Sequence, residues 1–446
     1  MNLTKGSIAR NIWYLSLPLI IGNVIWGSFD IVDMVFVGKL GPSAIAAVSL
    51  GGTILDIIWI AIEGISVGTM AMVARFTGSK EFEKANSVVI QSLLMSFTGG
   101  IIIAIVGFFS AEFVLKAMGA KNEVLALGVS YFKILCLGAL VIFPSITLVF
   151  ALRGAGDTIT PTKVLIFSIG LNVILDPLFI FGPGWFPCLG VAGSAIATVI
   201  SRIVEMFILF FIFITGKSFL HINLKIPKIE LKVIKQILKI GIFTSITELV
   251  WNVSSLILMR IVAFYGTFAI AGYGIGIRLM MVIQMPGFGL AQSAATLVGQ
   301  NLGANKPKRA ERSAWLTLGF YEIMMIVLAV IISFFAPLIV AGFNNNPEVI
   351  KIGASYLRFM AVTFVFIALS IILAGAMQGA GDSFSPMVID VLTLFLIRIP
   401  LVIFLANNLE LAITGIWIGI AVSNIIEGLF MGFRFYQGKW KYKLIS

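Results

Sequence analysis

Gly154-Ala155-Gly156-Asp157, with a proline at Pro161, returns as Gly379-Ala380-Gly381-Asp382 with Pro386 in the matching place. The two stretches stand 225 residues apart, and the same offset carries upstream. It lays Trp26 on Trp251, Gly41 on Gly266, Ile45-Ala46 on Ile270-Ala271 and Gly78 on Gly303. Glu123 likewise falls on Glu348 and Ser130-Tyr131 on Ser355-Tyr356. Downstream the offset slips to 222, where Gly193, Ser201 and Glu205 meet Gly415, Ser423 and Glu427. The chain is an internal duplication. Two related halves in an apolar chain imply two bundles facing a shared cavity that opens on either side of a membrane, the geometry of a transporter.

Composition names the solvent. With 59% hydrophobic and 11% charged residues, the chain carries more apolar surface than a water-soluble core can hide, so the bilayer is the expected surroundings. The net charge of +11 does not indicate nucleic acid, because the cations sit in short clusters between apolar runs. Cys136 and Cys188 form no metal-binding spacing and no disulfide framework. The one histidine, His221, lies in a basic loop. The first apolar run, about 11–37, is too long for a secretory signal core and lacks a small-residue cleavage site, so it is expected to remain as the first membrane helix.

Runs of spanning length predict an all-α polytopic membrane protein of twelve transmembrane helices. They fall near 11–37, 44–72, 87–110, 128–151, 162–181 and 189–215, then 236–262, 268–297, 313–340, 353–376, 387–405 and 411–432. This gives an amino-terminal lobe (1–215), a linker (216–235) and a carboxyl-terminal lobe (236–446). In the linker, Lys228–Lys232 reads as a short interfacial helix or as a solvated loop. Six spans per half return the chain to its starting side, so the bundles are pseudo-symmetric by a parallel repeat, about an axis along the membrane normal. Lys5, Arg10, Arg75, Lys80 and Lys84 begin one set of loops, and the linker and the basic tail continue it. Lys39, Lys116, Lys121 and Lys351 are the clear cations of the other set. The imbalance places both termini in the cytoplasm, in the inner membrane of a cell.

Carboxylates inside spans carry the functional signal, since an Asp at helix centre costs about 2.5–3.5 kcal/mol on insertion. Asp33 and Asp176 stand first. Asn172 is four residues before Asp176 and shares its helix face, and Pro177 removes a backbone donor just beyond. An acid, an amide oxygen and freed carbonyls suit a proton or a small cation such as sodium. The plainer alternative is an acid capping a broken helix. The repeat bears on the choice: Asp33, Asn172 and Asp176 fall on Leu258, Ile397 and Leu401, so these groups are not demanded by the scaffold. Glu205 and Glu427 occupy matching positions and read as structural, with Arg202 an i,i+3 partner for Glu205. Asp30, Asp56, Glu63 and Glu248 are candidate cavity-lining acids. Arg278 either pairs with Glu248 or meets anionic groups, and Met280, Met281 and Met285 beside it suit a promiscuous apolar pocket or ordinary packing.

Several motifs resemble one family. Pro18 with Val32-Asp33-Met34-Val35-Phe36-Val37-Gly38-Lys39-Leu40-Gly41 is similar to the first helix of the multidrug and toxic compound extrusion (MATE) transporters. Pro286-Gly287-Phe288-Gly289, Ala294 and Val298-Gly299-Gln300-Asn301-Leu302-Gly303-Ala304 resemble its eighth helix and following loop. Arg153-Gly154-Ala155-Gly156-Asp157 and Gln378-Gly379-Ala380-Gly381-Asp382 resemble its paired loops after helices 4 and 10. The likeness spans almost the whole chain.

The resemblance implies a cation-coupling site in the amino-terminal lobe: Asp33, Asn172 and Asp176, joined by the Thr198 hydroxyl and the Ser194 carbonyl of Gly193-Ser194-Ala195-Ile196-Ala197-Thr198. Asp33, Asn172, Asp176 and Thr198 would be the ligands if sodium is the ion. Pro18 matches a proline implicated in bending helix 1; its plain reading is a static kink. The family acid on helix 10 is missing, since 353–376 holds no Asp or Glu.

The expected function is antiport of a proton or sodium, with no other cofactor, against amphipathic and often cationic compounds, by a monomer that rocks between inward- and outward-facing forms. A flippase for a lipid-linked precursor is the alternative, and it requires a strongly cationic cavity. An enzyme is not expected, because the chain has no HExxH, no paired histidines and no nucleophile–base set.

Overall fold

A computed structural model describes residues 3–216, 220, 229–408 and 411–443, without the side chains at 30, 31, 407 and 408. All its regular elements are helical. The first repeat holds α1 (Ile8–Gly38), α2 (Pro42–Ser79), α3 (Phe82–Ala117), α4 (Asn122–Ala155), α5 (Ile159–Phe181) and α6 (Val191–Ile214). The second holds α7 (Leu231–Ala263), α8 (Thr267–Gly303), α9 (Pro307–Ala341), α10 (Pro347–Gly379), α11 and α12 (Ala412–Tyr436). Helix α11 runs from Phe384–Val391 through a π-helical stretch, Leu392–Arg398, into Ile399–Asn408. These are twelve helices long and apolar enough to span a membrane, as the hydropathy predicts. Most of the expected linker, with His221 and Lys228, lies outside the described residues.

The helices overrun the predicted spans for a simple reason. The 38 residues of α2 rise about 57 Å, against about 30 Å of hydrocarbon. Their last turns carry Arg75 and lead to Lys80, which apolar runs do not include. Outward faces are apolar: Phe109 is 81% and Phe334 75% exposed. Lipid is the ordinary solvent for such side chains.

The opening motif explains itself as a helix ending. Gly156 and Gly381 adopt left-handed φ of 90° and 85°, conformations that favour glycine. In each copy the following Asp donates its backbone N–H back to the end of the helix: Asp157 to Leu152 O and Asp382 to Met377 O, both at 2.9 Å. Core positions repeat as well. Val48, Tyr131 and Ala195 cluster in the first repeat, where the second places Tyr273, Tyr356 and Trp417. Ring centroids there are 5.0–5.3 Å apart. The first slot has one aromatic ring between two aliphatic side chains, the second three aromatic rings.

Packing divides the chain into two compact units, 21–242 and 1–20 with 243–446. The sequence-based division at the linker keeps each repeat whole. By packing, the opening parts of α1 and α7 go with the helices of the other repeat. Glycines mark both places. A Cβ at Gly241 of α7 would stand 2.5 Å from Gly64 O of α2. Gly289 of α8, which is Gly64 shifted by 225, meets Ile20 N of α1 at 3.0 Å in the same sense. The chain start is further fixed in its unit by Lys306 Nζ, which donates to Thr4 O, and by Arg309 Nη2, which donates to Lys5 O and Gly6 O.

Candidate functional site

The unit 21–242 brings an acid from α1 against an acid from α5. Asp176 is fully buried, and its carboxyl meets that of Asp33 at hydrogen-bonding range. Ser194, from the first turn of α6, donates its hydroxyl to Asp33 Oδ1 at 2.8 Å. Asn172, one turn before Asp176, has one amide orientation that satisfies both of its ends. Its Nδ2 then donates to Asp176 Oδ2 at 2.9 Å and its Oδ1 accepts from the Thr198 backbone N–H at 3.0 Å. Asp176 Oδ1 has no donor.

The local fold explains this meeting. Gly193 lets α6 approach α5, since a Cβ there would collide with Phe179 O. Ser194 and Thr198 follow four apart on the face this brings to α5. Two carboxyl groups in contact, one buried and one half-buried, repel when both are charged, and a shared proton or a small cation would relieve that. The oxygens of Asp33, Asp176 and Ser194 suit either one, while Asn172 gives the pair its amide N–H and turns its oxygen to Thr198.

A family model described as MatE matches residues 18–178 and again 242–404, one match per repeat. The chain belongs to the MatE family. Its relatives include the "Probable multidrug resistance protein YoeA" of Bacillus subtilis, 27% identical over 99% of this chain and 96% of that one. The "Probable multidrug resistance protein NorM" of Thermotoga maritima is 27% identical, covering 98% and 94%. A MATE protein crystallised in complex with MaD3S has the same fold, with a TM-score of 0.91 and 25% identity over 98% and 97% of the two chains.

Of the residues singled out from sequence, Asp33, Asn172, Asp176, Ser194 and Thr198 converge in this MatE chain. Ser194 is present through its hydroxyl instead of the expected carbonyl. Thr198 reaches the cluster through Asn172. Helix α1 runs unbroken through Pro18, two residues before the boundary between the units. Asp56 and Glu63 are exposed on α2, two turns apart and outside the pair's hydrogen-bonding set. The side chain of Asp30 lies outside the described residues. Met280 is buried in the core of the second unit, whereas Met281 is 60% exposed and Met285 half-buried.

Glu248 on α7 is half-buried and lies in electrostatic range of Asp390, while Arg278 is exposed on α8. Arg202 and Glu205 form the expected i,i+3 pair at 2.6 Å, with the guanidinium 4.4 Å from the Trp26 ring centre. One acid escaped the sequence reading: Glu322 in α9 has an Oε2 with no donor, beside fully buried Tyr321. It is the one acid in the predicted span 313–340, within the most apolar of these helices, and that is itself the signal that finds it.

Proposed function

We propose that this protein is a cation-coupled antiporter that exports amphipathic, often cationic, compounds from a cell, with a proton or sodium ion bound by Asp33 and Asp176. The observation that carries this reading is the contact between the two carboxyls, one on α1 and one on α5, with Asp176 Oδ1 left without a donor. With the shared ion gone, two negative charges about 4 Å apart repel by on the order of 4 kcal/mol at an effective dielectric of 20. Ion release therefore drives the outer part of α1 away from α5, and ion binding draws it back. An ion that prefers one arrangement and a substrate that prefers the other are coupled by that difference alone.

In the transport cycle the ion enters from outside and α1 closes on α5. Substrate affinity falls and the compound leaves. The two lobes then rock to the inward-facing form, the ion departs to the cytoplasm, and new substrate binds. Both termini are cytoplasmic in this reading, and the monomer is the working unit. The "multidrug resistance" names of the relatives support the substrate class.

The test is efflux of a cationic dye from proteoliposomes under separately imposed proton and sodium gradients. Asp33→Asn and Asp176→Asn should each lower gradient-driven efflux by about tenfold or more, equivalent to losing about 1.4 kcal/mol of coupling. Whichever gradient drives the parent protein names the ion. Undiminished efflux in both variants rejects the site.

A further inference from the structure

We propose that Asp390, in α11 of the second repeat, is a proton-binding residue that takes up and releases a proton independently of the Asp33–Asp176 pair. Asp390 is 4% exposed, and no hydrogen-bond donor reaches its Oδ1. The charged groups facing it are Glu427 of α12, Glu248 of α7 and Arg398 farther along α11. Tyr273 of α8 and Tyr356 of α10 lie within electrostatic range of Arg398.

Arg398 does not serve Asp390. Its Nε donates to Ser423 Oγ at 2.7 Å and its Nη2 to Asn424 Oδ1 at 2.6 Å. The same Nη2 lies 3.5 Å from Glu427 Oε2. Ser370 donates to the other Glu427 oxygen at 2.6 Å. The guanidinium is 5.1 Å from the Trp251 ring centre. One cation is thus shared among several partners, and more than one acid faces it.

The first repeat supplies the comparison. There the equivalent glutamate, Glu205, is paired with Arg202, whose guanidinium lies over Trp26, the equivalent of Trp251. The position of Arg202 is held in the second repeat by Asn424, and the arginine comes instead from the end of the π-helical stretch in α11. Both repeats therefore keep a Trp–Arg–Glu unit, built from different helices. Asp390 has no counterpart, for the offset of 225 lands on Leu165. A structural triad that works with one acid in the first repeat does not need a second in the other.

A buried carboxylate with one oxygen that no donor reaches, in the field of another acid, is relieved by a proton. A metal ion is the weaker candidate, because Arg398 sits in the same cluster and repels it. π-Helical insertions of this kind also recur at functional positions.

The test is infrared pH-difference spectroscopy of the purified full-length transporter in lipid, in an Asp33→Asn/Asp176→Asn background that silences the first-lobe pair. A protonated-carboxyl band should disappear on raising the pH from about 5 to about 9, and Asp390→Asn should remove that band alone. A band set unchanged by Asp390→Asn overturns the proposal, as does a band of Asp390 that never titrates. If Asp390→Asn does not fold, Glu427→Gln takes its place. Loss of the neighbouring charge should move the band's midpoint to lower pH by about one unit or more, a tenfold change in proton affinity. An unmoved midpoint overturns the proposal. Because the background lacks both first-lobe acids, failure here leaves the Asp33–Asp176 reading standing.

Discussion

Two ion pairs of identical spacing and length separate burial from geometry. Arg202–Glu205 and Lys84–Glu81 are both i,i+3 pairs at 2.6 Å. The first has side chains 10% and 3% exposed, the second 62% and 44%. Removing one partner of a buried pair strands the other charge and costs about 3–5 kcal/mol. Glu205→Gln strands Arg202 and also deprives Arg153, which faces the same carboxylate.

At about 2–4 °C per kcal/mol for a unit of this size, thermal melting in detergent should fall by roughly 6–20 °C. Arg202→Met should fall comparably and lose about 1 kcal/mol more from its stacking on Trp26. The double variant Arg202→Met/Glu205→Leu leaves no stranded charge on this pair and should recover most of the loss. Lys84→Met should melt like the parent, since exposed pairs contribute little. If Glu205→Gln melts no lower than Lys84→Met, or if the double variant sums the two single losses, the reasoning from burial is wrong.

The backbone approach of α7 to α2 predicts that Gly241→Ala lowers the melting temperature, by about 1–3 kcal/mol of overpacking, while Gly274→Ala, with nothing within 4 Å of its new Cβ, does not. Ser194→Ala removes the donor to Asp33 Oδ1 and should slow gradient-driven dye efflux severalfold, less than Asp176→Asn does; an efflux rate equal to the parent's would remove Ser194 from the site. Glu81, in the turn between α2 and α3, is held below the usual carboxylate range by hydrogen bonds from Lys84 and then Ser79. Its stabilising effect is therefore present above the ordinary carboxylate value and lost as the pH falls through the depressed one. Because the pair is exposed, melting curves of the parent and Glu81→Gln should separate only slightly at neutral pH and converge in acid.

The twelve spans and the duplication were legible because hydropathy and glycine spacing are local signals. The Asp33–Asp176 meeting was legible because acids are rare in spans and these two are missing from the second repeat. The exchange of opening segments was not, since Ile12 and Leu15 are equally apolar whichever bundle they join. The pairing of Glu248 with Arg278 was one of two readings from sequence; in the folded chain Arg278 is exposed and Glu248 lies in electrostatic range of Asp390. Nor did Arg398 announce itself as the stand-in for Arg202, because the π-helical stretch changes the angular register of α11 by about one residue, and a 3.6-residue count assigns its side chain to the wrong face.

A gene carrying one such repeat alone would encode a bundle whose own leading half-helix has no seat within it. The notch at Gly64 accepts the opening of α7, and the notch at Gly289 accepts the opening of α1. A six-helix ancestor satisfies both only as a dimer whose members trade their leading segments. Two such repeats joined in one reading frame make that trade permanent. Separately expressed halves, cut within 217–228, should accordingly be unstable apart and regain a folded transporter only when made together.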